Sequence, residues 1–89
     1  MNEIIMYTVD YCSYCKKAEM FFKERNIPFK KIDITSNEEE YRKKLGQYYD
    51  IQGKVTVPQI IIDGQRIGGY DDLMKFVSNS NYNQLFKNE

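Results

Sequence analysis

The sequence predicts a single α/β domain with a four-stranded mixed sheet and helices on both faces, in the order β-α-β-α-β-β-α-α. Three observations predict this class. Apolar runs rich in Ile alternate with segments of helical spacing in the first half, a two-residue Asp-Gly turn joins two runs in the second half, and 89 residues suffice for one core only. We therefore expect residues 1–89 to form one domain.

The first half of the chain predicts the order β-α-β-α. Its first three elements are a strand over 3–8, a helix over 14–25 and a strand over 28–34. In that helix Cys15, Ala18 and Phe22 recur at helical spacing, which predicts a buried face. Ser36, with Glu39 three residues later, has the spacing of a capping box and predicts the start of the second helix.

The second predicted helix carries two patterns. Its aromatic and apolar residues, predicted to share one packed face, are Tyr41, Leu45, Tyr48 and Tyr49. Its charged residues are predicted to form three i,i+4 pairs: Glu38–Arg42, Glu39–Lys43 and Glu40–Lys44. Charge alternation of this kind is typical of a solvated face that supports the helix, so no partner surface is expected there.

The second half predicts a hairpin followed by helices. Runs over 57–62 and 65–67 flank Asp63-Gly64, so the two strands must be antiparallel. Gly68-Gly69 ends the second strand, and Asp71 or Asp72 is expected to cap a helix. The residues that predict that helix are Leu73, Phe76 and Val77, and those that predict a short last helix are Tyr82, Leu85 and Phe86.

Charge and composition exclude several functions. Thirteen basic and thirteen acidic residues give a formal net charge of zero, so neither nucleic acid nor a membrane is an expected partner. The chain has no histidine, which excludes a Cys–His dyad, a His-ligated metal centre and a His general base. The short apolar start lacks a basic flank, so neither a signal peptide nor a membrane span is expected, and the cytoplasm is the expected location.

The only two cysteines stand as Cys12-Ser13-Tyr14-Cys15, between the first strand and the first helix. At a helix N-terminus the unpaired N–H groups and the dipole stabilise a thiolate, so Cys12 is expected to be exposed and reactive while Cys15 faces the core. In a chain with βαβ signals this spacing indicates a thioredoxin-like redox motif. The β-α-β plus β-β-α order matches the thioredoxin fold. A zinc site is disfavoured because two tetrahedral positions would be unfilled.

Three motifs together resemble those of dithiol glutaredoxins, in order and over essentially the whole chain. They are Cys12-Ser13-Tyr14-Cys15, Thr56-Val57-Pro58-Gln59 and Gly68-Gly69-Tyr70-Asp71-Asp72-Leu73. The resemblance implies a thioredoxin fold, glutathione as the reductant, Cys12 as the nucleophile and Cys15 as the resolving thiol.

The resemblance also implies a glutathione site. Its residues would be Tyr14, Lys54, Thr56, Val57, Pro58, Gly69, Asp71 and Asp72. The main chain of Val57, before a proline that the family holds in the cis form, would pair with the glutathione cysteine. The N–H of Asp71 and the carboxylate of Asp72 would hold the γ-glutamyl end, and Lys54 would bind the glycine carboxylate.

Two positions depart from the family pattern. Ser13 stands where the commonest dithiol motif has proline, and some members with non-proline motifs bind a [2Fe–2S] cluster between two subunits through the first cysteine and glutathione. This supports an alternative: a glutathione-bridged cluster dimer, with Cys12 as ligand, for iron–sulfur storage or transfer. Val9 stands three residues before the nucleophile, where many members have Lys or Arg, so weaker binding of a carboxylate is expected.

The function that these observations favour is glutathione-dependent reduction of protein disulfides and of protein–glutathione mixed disulfides. The expected partners are glutathione and disulfide-containing or glutathionylated proteins, with ribonucleotide reductase as a familiar client of the family. The protein is expected to be a monomer. A redoxin fed by thioredoxin reductase is disfavoured because the segment 68–72 resembles a glutathione-binding segment.

Overall fold

A four-stranded mixed sheet organises the protein in this computed structural model, which describes residues 3–81. The strands are β1 (Ile4–Thr8), β2 (Lys30–Asp33), β3 (Gln59–Ile62) and β4 (Gln65–Gly68), and the helices are α1 (Ser13–Glu24), α2 (Glu38–Tyr48) and α3 (Tyr70–Phe76). The strand order is β2-β1-β3-β4, with β1 parallel to β2 and antiparallel to β3, and β3 antiparallel to β4. The predicted thioredoxin-type α/β fold is confirmed.

Side chains of β1 and β3 alternate between two packed faces, as the pleat of a strand requires. On one face Ile4 and Met6 pack with Ile60 and Ile62 of β3. The α1 and α3 residues that cover this face are Ala18, Phe21, Phe22 and Leu73. On the other face the Tyr7 ring lies 6.2 Å from the Tyr41 ring of α2. Helices therefore cover both faces of the sheet.

Positive backbone φ angles end α1 and close the hairpin. Asn26, just past α1, has a φ of 57°, in the left-handed region that often terminates helices. Asp63 and Gly64 have φ values of 53° and 82°, as a type I′ turn requires at both central positions. The predicted two-residue hairpin turn is therefore present.

Several local predictions were wrong in detail. Ser36 forms no capping box, because Thr35–Asn37 form a 3₁₀ turn and α2 begins only at Glu38, without a side-chain cap. The strands are shorter than predicted: β2 begins at Lys30 and β3 at Gln59, after prolines that have no N–H to donate to a ladder.

The aromatic face of α2 is also narrower than predicted. Tyr48 is 79% exposed, whereas Leu45 is buried. In α3 the N-cap residue is Gly69, and of the two predicted aspartates Asp72 contributes to the cap, from the third helical position. The last predicted helix, at Tyr82, Leu85 and Phe86, lies outside the described residues. Past α3 the chain continues as a π-helical segment, Val77–Asn81.

Candidate active site

Cys12 is the N-cap of α1. Its extended backbone turns the sulfur over the first helical turn, where Sγ accepts a hydrogen bond from the N–H of Cys15 at 3.1 Å. The Cys12 thiol also donates to the carbonyl oxygen of Val57 at 3.6 Å. The sulfur is only partly buried, so it lies between the start of α1 and the loop before Pro58 and remains accessible.

Cys15 lies one helical turn further and has a different environment. Its side chain is 2% exposed, and it is a free thiol like Cys12. Burial, with a smaller contribution from its hydrogen bond to Cys12, raises the pKa of Cys15 to about 11. Near neutral pH this thiol therefore stays protonated, and Cys12 is the sulfur that an external reagent meets first.

A groove of about 380 Å³ has Pro58 in its wall, and we call it the Pro58 groove. Its lining residues are Tyr14, Thr56, Val57, Pro58, Gly69, Tyr70, Asp71 and Asp72. The peptide bond between Val57 and Pro58 is cis. The structure thus brings together every predicted binding residue except Lys54. It adds Tyr70, which belongs to the third motif but had no predicted role.

Gly69 and Asp72 both line the Pro58 groove, and Gly68, the last residue of β4, lies beside the Asp72 carboxylate. The Asp72 carboxylate accepts a hydrogen bond from the N–H of Gly69 at 3.0 Å, so it caps α3 from the third helical position. Gly68 has a φ of 119°, and a Cβ there would lie 2.4 Å from the Asp72 carboxylate oxygen Oδ2. Glycine at this position therefore lets the carboxylate lie against the backbone.

Tyr14 and Tyr70 form an aromatic pair on the rim of the Pro58 groove. Their ring centroids are 6.2 Å apart, and Lys17 Nζ lies 5.0 Å from the Tyr14 centroid and 6.0 Å from the Tyr70 centroid. A cation at these distances is attracted to the faces of the rings. The pair connects the first turn of α1 to the start of α3. The one feature of the sequence that could have predicted this pair is the position of Tyr70 between Gly69 and Asp71.

Lys54 lies in a second hollow of about 530 Å³, which we call the Arg42 hollow. The other residues of its lining are Tyr11, Glu38, Glu39 and Arg42. The prediction that Lys54 belongs to one site with the residues of the Pro58 groove therefore needs a ligand that extends into both.

The Arg42 hollow contains a hydrogen-bonded network. The Tyr11 hydroxyl donates to the Glu38 carboxylate at 2.6 Å, and Arg42 Nη2 donates to Glu38 Oε2 at 2.6 Å. The Tyr11 hydrogen bond, followed by Arg42 and the charge of Lys54, lowers the pKa of Glu38. The Glu38–Arg42 pair is thus more than the solvated support that the sequence predicted, whereas Glu40–Lys44, at 3.2 Å, matches that prediction.

Val9 is 3% exposed. A lysine at this position would have to desolvate its ammonium group or bend its side chain out of the core. The hydrophobic Val9 therefore fits its surroundings, and replacing it by a cation is not a simple surface change.

The described residues contain neither a cluster of metal-binding side chains nor a helix that could span a membrane. Within residues 3–81 no three His, Cys, Asp or Glu side chains come together as a possible metal site. In the same part of the chain no helix is long and apolar enough to cross a bilayer.

Known proteins are similar to this chain in sequence and in architecture. The glutaredoxin family model matches residues 4–67. Glutaredoxin 1 of Rickettsia conorii is 33% identical over 93 residues, an alignment that covers 100% of this chain and 85% of that protein. The crystal structure of glutaredoxin 1 from Francisella tularensis complexed with cacodylate has a TM-score of 0.79 and 27% identity, covering 92% of this chain and 99% of that one.

A buckwheat glutaredoxin–glutathione complex has a TM-score of 0.81 at 24% identity, covering 94% of this chain and 76% of that one. At this identity the likeness shows the shared fold. With one partly buried, accessible thiol and one buried thiol at the start of α1, the architecture defines a thiol–disulfide oxidoreductase of the thioredoxin superfamily. Given the family-model match and the similarity to the Rickettsia protein, the chain belongs to the glutaredoxin family.

Proposed function

We propose that the protein uses glutathione to reduce protein disulfides and protein–glutathione mixed disulfides. The observation that carries the proposal is the position of the Cys12 sulfur, which hydrogen-bonds the Val57 carbonyl in the wall of the Pro58 groove. The glutathione in the buckwheat structure supports the same ligand for this chain.

The first reaction uses Cys12 alone. Its thiolate attacks the glutathione sulfur of a mixed disulfide, a new Cys12–glutathione disulfide forms, and the protein thiolate leaves and takes a proton from water. The thiolate of a second glutathione then attacks the bound glutathione sulfur. This step releases oxidised glutathione and returns Cys12 as a thiolate, so one free glutathione is oxidised for each protein thiol released.

The second reaction adds Cys15. Cys12 attacks a protein disulfide, and Cys15 then attacks the Cys12 sulfur, expels the second protein thiol and forms a Cys12–Cys15 disulfide. The raised pKa of Cys15 means that it must lose a proton at this step, while the departing thiolate gains one. Two glutathiones in turn reduce the internal disulfide.

The Pro58 groove gives glutathione its proposed contacts. The main chain of Val57 pairs with the cysteine of glutathione as an added strand would. The Asp72 carboxylate, held by the Gly69 N–H, faces the α-ammonium group, and the N–H of Asp71 faces the α-carboxylate. The Tyr14 ring, Thr56, Pro58 and Gly69 complete the walls. Lys54, in the Arg42 hollow, receives the glycine carboxylate.

Partners and location follow from the same proposal. The substrates are disulfide-containing or glutathionylated proteins, and ribonucleotide reductase is the client that the family resemblance implies. We propose a cytoplasmic monomer. A glutathione-bridged [2Fe–2S] dimer is not favoured over the thiol–disulfide reaction, because its support in the chain is Ser13 alone, whereas the family match supports thiol–disulfide chemistry.

The test is an assay coupled to glutathione reductase, with a glutathionylated peptide and, separately, a disulfide-bonded protein as substrates. The wild-type protein should reduce both substrates. Cys15→Ser should keep most activity on the peptide and lose most on the disulfide, because only the second reaction uses an internal resolving thiol. Cys12→Ser should lose both. Absence of wild-type activity on the glutathionylated peptide, or equal failure of the Cys15 variant on both substrates, would refute the proposal.

A further inference from the structure

One network in the Arg42 hollow joins three separate segments of the chain. Tyr11, in the loop before α1, donates to Glu38 at the start of α2. Arg42, one turn later on α2, bonds Glu38 through Nη2 and the carbonyl oxygen of Val55 through Nη1. The three segments are far apart in sequence, and the bonds hold both active-site loops to a single helix.

The two ends of this network lie next to the reacting sulfur in the chain. Tyr11 directly precedes Cys12, and Val55 is two residues before Val57, whose carbonyl accepts the Cys12 thiol hydrogen bond. We propose that Glu38 and Arg42 are positioning residues that hold the main chain before Pro58 at a fixed distance from Cys12. This inference rests on the proposed function, in which that main chain aligns the glutathione disulfide.

The Arg42 side chain is suited to this task. Its planar guanidinium uses two nitrogens on two different segments, and a lysine ammonium at the end of a flexible stem cannot reproduce this arrangement. Its Nε atom is buried and has no hydrogen-bond partner. A buried, unpaired N–H costs free energy, so the two Nη contacts and the packing around them must outweigh that cost to keep the side chain inside.

A second ion pair on the same helix provides the comparison. Glu40 and Lys44 have the same i,i+4 spacing, but their side chains are 64% and 70% exposed, against 27% for Glu38 and 21% for Arg42. Neither Glu40 nor Lys44 has a described hydrogen bond to an active-site loop. Exposed pairs of this kind contribute little, whereas the Glu38–Arg42 pair is partly buried and fixes backbone.

The experiment compares Arg42→Met and Arg42→Lys with the control Lys44→Met. Reduction of a glutathionylated peptide needs an aligned disulfide, whereas alkylation of Cys12 by iodoacetamide needs no such groove. We expect Arg42→Met to lower kcat/KM for the peptide on the order of tenfold while the Cys12 alkylation rate stays within about twofold. Arg42→Lys, which keeps the charge, should show most of that loss, and Lys44→Met should resemble the wild type in both assays.

Amide hydrogen exchange gives a readout that is independent of activity. Loosening of the loop should speed exchange of the amides of residues 55–59, whose last member pairs with β1, in Arg42→Met and leave it unchanged in Lys44→Met. Exchange is measured at a temperature where circular dichroism shows both variants folded. Equal exchange and equal kcat/KM in the two variants, or full rescue by Arg42→Lys, would overturn the positioning role. An inactive wild type would refute the proposed function instead, and the exchange result would still decide the structural claim.

Discussion

The Pro58 groove and the Arg42 hollow differ in how their walls are made. The groove is formed by the loop before Pro58, Gly69, the start of α3 and Tyr14, and the main chain of Val57 and Gly69 makes hydrogen bonds with Cys12 and Asp72 there. The hollow is shaped by charged side chains of α2 and Lys54, held together by the Tyr11–Glu38–Arg42 contacts. Main-chain groups offer the same hydrogen bonds to any ligand that has a matching peptide backbone. Side chains that line a cavity can be replaced by substitution without a change in the fold.

Both proposed reactions begin at Cys12, and alkylation tests whether Cys12 is the reactive sulfur. Limited alkylation with iodoacetamide at pH 7 should modify Cys12 on the order of a hundredfold faster than Cys15, because a pKa of about 11 leaves roughly one Cys15 in 10⁴ as thiolate. Mass spectrometry of peptides gives the ratio. In Cys12→Ser, Cys15 should stay unmodified until denaturant is added. Comparable rates in the native protein would show that the buried thiol is reactive.

The contact between Gly68 and the Asp72 carboxylate is tested by adding one methyl group at Gly68. Gly68→Ala should press on the Asp72 carboxylate and lower kcat/KM for a glutathionylated peptide about tenfold, with a loss of about 2 kcal/mol in the free energy of unfolding. Gly64→Ala is the matched control, because Gly64 also has positive φ but a Cβ there meets nothing within 4 Å. It should cost about 1 kcal/mol of stability and leave kcat/KM within about twofold. Equal kinetic effects would mean that the Gly68–Asp72 contact does not shape the site.

The smallest expected effect is in the hollow. Lys54→Ala should raise the glutathione concentration needed for half-maximal rate about fivefold, since a partly exposed charged hydrogen bond is worth about 1 kcal/mol. Lys43→Ala removes an exposed cation of α2 that does not line the hollow, and it should change the requirement less than about twofold. If the two variants behaved alike, Lys54 would not belong to the glutathione site.

The sequence predicted the main-chain half of the site well, for a physical reason. Glycine, proline and a cysteine at a helix start have few alternative roles, so a motif such as Gly68-Gly69 determines local backbone. The antiparallel pairing of β3 with β4 also followed from a local signal, because the Asp63-Gly64 turn allows essentially one hairpin geometry. The burial of Cys15 followed from helical spacing, whereas Cys12, expected to be exposed at the helix start, is partly buried.

The side-chain contacts of the Arg42 hollow could not be predicted in the same way. Glu38–Arg42 and Glu40–Lys44 have identical spacing, and only the tertiary fold brings the Val55 carbonyl, 13 residues further on, to Arg42. The capping box at Ser36 failed because a 3₁₀ turn occupies the segment that was expected to start the helix. The position of Lys54 depends on how its loop packs beside α2, and periodicity says nothing about that.

The Tyr14–Tyr70 pair on the rim of the groove has an optical consequence. The chain has eight tyrosines and no tryptophan, so tyrosine emission is not masked by energy transfer to an indole. Two of those fluorophores lie on the rim, under the charge of Lys17. Because both residues line the groove, a ligand that enters it changes the surroundings of both rings at once. The unlabelled protein therefore carries its own reporter of groove occupancy, and binding can be followed without a redox reaction.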